Sequence, residues 1–184
     1  MLMLDPTFYE WVKDLSKYQD FQDSILLSEN SQQLAFDMEL VLRFFAAKNT
    51  DNLKGLKDLN DFITNRMKDF INDKDFDREN EAEIFKKTFE TLNKALPEGA
   101  FRRYDINKGK FTGRFLISTF EVLSIGLGRN IAKWYPYSKE SLEKIEGIAK
   151  ELWSNTTFQD NQGTGTNVSS RLKQLAPLGI QLFS

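Results

Sequence analysis

The chain has 184 residues, 40% of them apolar and 28% charged, with a net charge of −2, the balance of an ordinary globular protein with a single hydrophobic core. It contains no cysteine and no histidine, which excludes disulfides, thiolate chemistry, Cys/His zinc sites and every mechanism with a histidine base. The charge is uneven: residues 1–100 hold 20 acidic and 13 basic side chains (−7), and residues 101–184 hold 7 and 12 (+5), so the second half is the place for a polyanion if one binds.

Asp5-Pro6 reads as a helix start, with Asp as cap and Pro in the first turn. Phe8, Trp11, Val12 and Leu15 follow at i, i+3, i+4 and i+7, an amphipathic stripe. A short helical turn carries Phe21 and Ile25. Ser31 is placed to cap the next helix, where Leu34, Met38, Val41, Leu42 and Phe45 form one face and Phe36, Leu40, Phe44 and Ala47 a second. A helix apolar on nearly all sides is expected at the centre of a fold.

Leu56, Leu59, Ile63, Met67 and Phe70 mark a helix over 55–72, followed by an acidic loop from Asn72 to Glu79. That acidic stretch lacks the alternating Asp/Asn and glycine of a calcium loop. Phe85, Phe89, Leu92 and Leu96 mark another helix, stopped at Pro97-Glu-Gly99. Residues 99–113 read as a loop with a short irregular hairpin. Phe115 to Ala132 reads as a helix weakened in its second half by Gly126 and Gly128. Trp134-Tyr-Pro-Tyr137 is a break, either an aromatic patch for a partner or a buried corner between helices. Ser138 caps a helix with Leu142, Ile145, Ala149 and Leu152 on one face. Ser154 to Thr166 reads as a loop, Val168 to Leu175 as a short helix, and Ala176-Pro177-Leu178 as its break. The expected architecture is all-α: one domain over 1–184, with seven or eight helices and long loops near 99–113 and 154–166.

Three groups of residues are candidates for function. Asp37, Glu39 and Arg43 are charges inside the most apolar run, "FDMELVLRFFAAKN". At 100° per residue Asp37 and Glu39 point about 160° apart and cannot share one metal from within the helix, whereas Glu39 and Arg43 at i, i+4 form a structural ion pair. The loop Phe101 to Phe115 carries Arg102, Arg103, Lys108, Lys110 and Arg114 against Asp105, interleaved with Phe101, Tyr104, Phe111 and Phe115. Cations there suit phosphates and aromatic faces suit unpaired bases; the plainer alternative is a solvated loop anchored by its phenylalanines. Thr164, Thr166, Ser169 and Arg171 stand where a helix opens and are candidates for an anion site, with simple helix capping as the alternative. There is no P-loop ending, no Gly-x-Ser-x-Gly elbow and no motif that calls for a cofactor.

The absence of thiols fits the cytoplasm. No apolar run approaches the roughly 20 residues of a membrane span, and Met1-Leu-Met-Leu-Asp-Pro6 lacks the basic region of a signal peptide.

Four segments carry a resemblance. "DPTFYEWVKDLSKYQDFQDSI", "DMELVLRFFA", "GAFRRYDINKGKFTGRFLISTFEVLSIGLGRNI" and "SSRLKQLAPLGIQLF" follow one another in this order. Together the chain resembles the helical second half of the ParB-like nuclease family that includes the GmrSD-type type IV restriction enzymes. The family's first half carries a motif similar to Asp-Gly-Gln-Gln-Arg, which does not occur here, and a further nuclease domain of some relatives depends on histidine. The resemblance therefore implies a non-catalytic helical module of a prokaryotic restriction or anti-phage defence protein. Its implied partners are DNA and a ParB-like nucleotide-processing domain or subunit. The alternative is a stand-alone helical domain that binds other proteins without nucleic acid. A third reading, an enzyme with an Asp, Glu or Lys site, predicts a deep pocket with perturbed carboxylates or lysines.

Overall fold

Asp5 opens the first helix by accepting hydrogen bonds from the Thr7 and Phe8 N–H groups at 2.8 and 3.0 Å, the local chemistry that its place before Pro6 dictates. In the computed structural model, which describes residues 5–27, 35–97, 99–163 and 165–184, nine α-helices and one small hairpin follow in order. They are α1 (Pro6–Ser16), α2 (Gln19–Ile25), α3 (Phe36–Lys48), α4 (Leu59–Asn72) and α5 (Arg78–Ala95). The hairpin of β1 (Arg103–Asp105) and β2 (Lys110–Thr112) comes next. After it come α6 (Ile117–Trp134), α7 (Lys139–Glu151), a 3-10 turn (Leu152–Ser154), α8 (Thr156–Asn161) and α9 (Val168–Leu182). The fold is all-α.

The side-chain caps show why these segments start where they do. Asp58 accepts from Asp61 N–H, Asp77 from Glu79 and Asn80, and Ser138 forms a reciprocal capping box with Ser141. Ser31 and Leu34, expected at the start of α3, lie outside the described residues; the described helix opens at Phe36 after Ala35, whose φ is 55°.

Helix α3 is central and packs against α1, α4 and α6. Phe44 meets Phe45, Phe85 and Phe89 with ring centroids 5.2, 5.4 and 5.7 Å apart. Phe89, Phe101 and Phe120 continue the aromatic core toward the hairpin. Edge-to-face and offset contacts of this kind let phenylalanines fill space from several helices at once.

Of three sequence expectations, two are corrected and one, the helix over 115–132, is borne out. First, α9 runs unbroken through Pro177, whose exposed ring sits on the solvent side while Leu175 and Ala176 are buried; packing of the flanking turns offsets the missing N–H. Second, the helix expected over 115–132 is present as α6 and stays regular through Gly126 and Gly128. A Cβ on Gly126 would collide with the Gly179 backbone, one on Gly179 with the Val122 carbonyl, and one on Gly128 would lie 2.6 Å from the Phe44 ring. Gly126 and Gly179 let α6 and α9 approach closely and Gly128 makes room for Phe44 of α3, so tertiary contact overrides their low helix propensity. Third, 154–166 is not all loop: Asn155 accepts from Phe158 N–H at 3.0 Å and starts α8, which buries Phe158.

Candidate functional site

The basic segment 102–114 is built around the hairpin. Arg103 pairs with Thr112, Tyr104 with Phe111 and Asp105 with Lys110 in antiparallel register. Asp105 accepts from the N–H groups of Asn107 and Lys108 at 3.0 and 3.2 Å, and Gly109 supplies the positive φ of 64° that the turn needs. Phe101 and Phe111 are buried, and Tyr104 packs on Phe111 at 5.1 Å. The interleaved aromatics therefore root the loop in the core, and the hairpin offers to solvent mainly charge, with Ile106 at its tip.

Arg103, Lys108, Lys110 and Arg114 are exposed and Arg102 is half-buried. Lys108 reaches Asp105 at 3.4 Å. Arg103 lies 5.8 Å from the Trp153 ring and Lys150 5.6 Å from the Tyr104 ring. Arg102, Arg103, Lys110 and Arg114 form no ion pair among the described residues. Ile106 at the turn is 69% exposed.

The second candidate group meets a different fate. Asn167 caps α9 by accepting from the N–H groups of Ser169 and Ser170 at 3.0 and 3.1 Å, so those donors are engaged within the chain. Thr166 donates its N–H to the Gly163 carbonyl at 3.1 Å, and Ser169 is buried. Thr164 lies outside the described residues. Arg171 turns inward to Glu121.

That carboxylate is the centre of a buried network. Glu121, with no exposed surface, accepts from Arg171 Nε at 2.8 Å and Nη2 at 3.0 Å and from Arg43 Nη1 at 2.7 Å. Arg43 Nη2 also donates to Glu39 at 2.6 Å. Two acids and two bases close a neutral cluster that ties α3, α6 and α9 together. Sequence reasoning identified Glu39, Arg43 and Arg171 but missed Glu121. The available signal was one carboxylate inside the apolar run "FLISTFEVLSIGLG", where an ionised group demands a buried partner.

The two basic segments converge on one cavity of about 590 Å³. Arg102, Arg114 and Arg171 line it, together with Ser118 and the start of α6. Phe36, Phe115 and Leu26 form its apolar walls, with the Phe36 and Phe115 rings edge to face at 6.2 Å. Among the described residues no carboxylate lines it.

Beside the hairpin at Gly109–Phe111 a second cavity of about 410 Å³ is bordered by Lys94, Lys110, Lys139 and Lys150 together with Glu143 and Glu146. Lys150 pairs with Glu146 at 2.7 Å, and Lys139 lies 3.8 Å from Glu143.

The aromatic break is largely a corner between helices: Trp134 Nε1 donates to the Phe183 carbonyl at 3.0 Å, and Tyr137 donates to Glu90 at 2.9 Å. That hydrogen bond, then burial, raises the Tyr137 phenol above its ordinary value. A separate buried pair, Lys48 with Glu81 at 2.9 Å, joins α3 to α5, and burial lowers the Lys48 ammonium against the pull of Glu81.

Among the described residues no group of three or more carboxylates is placed to hold a metal ion, and no helix is long and apolar enough to cross a membrane. No family model, curated protein or solved structure matches the chain.

Proposed function

We propose that this chain is a non-catalytic helical module that holds a nucleic-acid backbone through its hairpin. It would serve a prokaryotic restriction or anti-phage defence protein by supporting DNA recognition or relaying it to a ParB-like nucleotide-processing domain. The observation that carries this reading is the mounting of Arg102, Arg103, Lys108, Lys110 and Arg114 on a hairpin whose aromatics are anchored in the core. Anchored cations meet phosphates without the entropy cost of ordering a loose loop. The +5 balance of residues 101–184 favours the same face for a polyanion. The defence setting rests on the sequence resemblance alone.

Fluorescence anisotropy with duplex DNA at a series of salt concentrations tests the reading. Five phosphate contacts predict a slope of about −4 to −5 in log affinity against log salt. Replacing the five basic residues by glutamine should flatten that slope. Equal affinity of the replaced protein at low salt would refute it.

A second reading, a protein-binding domain, is favoured by the exposed Ile106 at the hairpin tip. It predicts association that Ile106→Ser abolishes and that salt leaves nearly unchanged.

A further inference from the structure

The cavity between the hairpin base and α6 has features that backbone binding by the hairpin does not use. Helix α6 has 18 residues and begins without a side-chain cap and without an acidic residue in its first turn. The N–H groups of Ile117, Ser118 and Thr119 find no acceptor among the described residues, since the nearest bonds run from Leu116 N–H to Phe101 and from Phe120 N–H to Leu116. Ser118 is 2% exposed and lines the cavity, and its hydroxyl has no hydrogen-bond partner among the described residues. This hydroxyl, open only to the cavity, and the free helix N–H groups beside it make a set of donors without an acceptor among the described residues.

The charge around these donors is specific in amount. Glu39, Arg43, Glu121 and Arg171 neutralise one another. Arg102 and Arg114 are left over on the cavity wall, and among the described residues no carboxylate lines it, an excess of +2 from those residues. A phosphate monoester carries about −1.5 to −2 near pH 7 and three acceptor oxygens, whereas a carboxylate brings one charge and two oxygens. The rings of Phe36 and Phe115 supply apolar lining in the same cavity. Gln162, whose side chain makes no hydrogen bond to a described residue, adds an amide that donates and accepts at once.

We propose that this cavity binds a phosphorylated nucleoside. The phosphate sits on Arg102, Arg114, Ser118 and the open N-terminus of α6, and the base lies against Phe36 and Phe115 with its edge toward Gln162. The volume of about 590 Å³ is ample for one nucleotide. The same chemistry is offered by a free mononucleotide and by the 5′-phosphorylated end of a strand. This inference does not depend on backbone binding by the hairpin.

Isothermal titration of the intact chain with adenosine 5′-monophosphate, adenosine and inorganic phosphate tests it. The monophosphate is expected to bind, with adenosine and phosphate each at least about tenfold weaker. Arg114→Gln, a change at an exposed residue with no hydrogen bond to lose, should weaken the monophosphate about tenfold. Displacement by a 5′-phosphorylated oligonucleotide, but not by its 5′-hydroxyl twin, identifies a strand end; no displacement by either identifies a free nucleotide. Both support the cavity as the site. No binding of the monophosphate at about 5 mM, phosphate alone binding as tightly, or an unchanged affinity in Arg114→Gln would each overturn the proposal. Combined glutamine replacement of Arg103, Lys108 and Lys110 separates the two functions: it should weaken duplex DNA and leave the monophosphate unaffected.

Discussion

The Glu121 carboxylate, fully buried in α6, takes both the Nε and Nη2 donors of Arg171 from α9, at 2.8 and 3.0 Å. Fifty positions separate the two residues, so this bidentate pair, with Arg43 as third member, sets the register between three helices. Charges so deeply buried hold only while each finds its partner.

Glu121→Gln should therefore destabilise the fold by about 3–5 kcal/mol, because the buried Arg171 loses its only counter-charge and Arg43 is left with Glu39 alone. Replacing Glu121, Arg43 and Arg171 together by leucine or methionine should recover most of that loss, since the one charge left without its partner, Glu39, is half-exposed to solvent. Urea unfolding checks both, and a single-variant loss under about 1 kcal/mol would show that the network contributes little.

Glycine positions divide by their surroundings. Gly126→Ala and Gly179→Ala force Cβ atoms into facing backbone and should each cost about 1–3 kcal/mol or more by overpacking. Gly147→Ala in α7 meets nothing within 4 Å and should stabilise by about 0.5–1 kcal/mol through lower chain entropy. Thermal melts of the three variants are expected to fall on opposite sides of the parent.

Pro177 leaves the Lys173 carbonyl of α9 without its helical donor, on an exposed face. Pro177→Ala restores that bond, and a gain of about 1–3 kcal/mol is expected in chemical unfolding. A loss would mean that the ring's geometry is needed for the α6–α9 contact.

Asp5 makes a pH-dependent contribution. The hydrogen bond from the Thr7 hydroxyl, then that from the Phe8 N–H, with Arg78 adding to them, bring its carboxyl from the ordinary 3.8 down to about 2. A carboxylate depressed in the folded state stabilises it fully above its unfolded value and loses that contribution as pH falls through the folded one. The stability difference between parent and Asp5→Ala is thus expected to be level from neutral pH to near 4 and to shrink toward pH 2. A difference that has already vanished at pH 5 would contradict the assignment.

Much of the helical architecture was legible because its causes are local. The stripe Phe8, Trp11, Val12, Leu15 and the caps Asp5 and Ser138 act within one or two turns, and so does the Glu39–Arg43 spacing. The extent of α9 was not legible, because a proline inside a helix is tolerated only when surrounding packing compensates. Nor was α8, whose six residues depend on burying Phe158. At the candidate site, the basic residues of 102–114 could be picked out by composition. Their aromatic neighbours could not be assigned to core or solvent until the hairpin's register was known.

The sequence by itself determined a helical chain with a phenylalanine core, a basic second half and no thiol or imidazole chemistry. Only the tertiary structure decided that Arg102, Arg114 and Arg171 share one cavity and that Glu121 neutralises Arg43 and Arg171. The reason is range: helix periodicity and capping act over three or four residues, whereas the burial of charge and the meeting of side chains fifty or more positions apart depend on how whole helices pack.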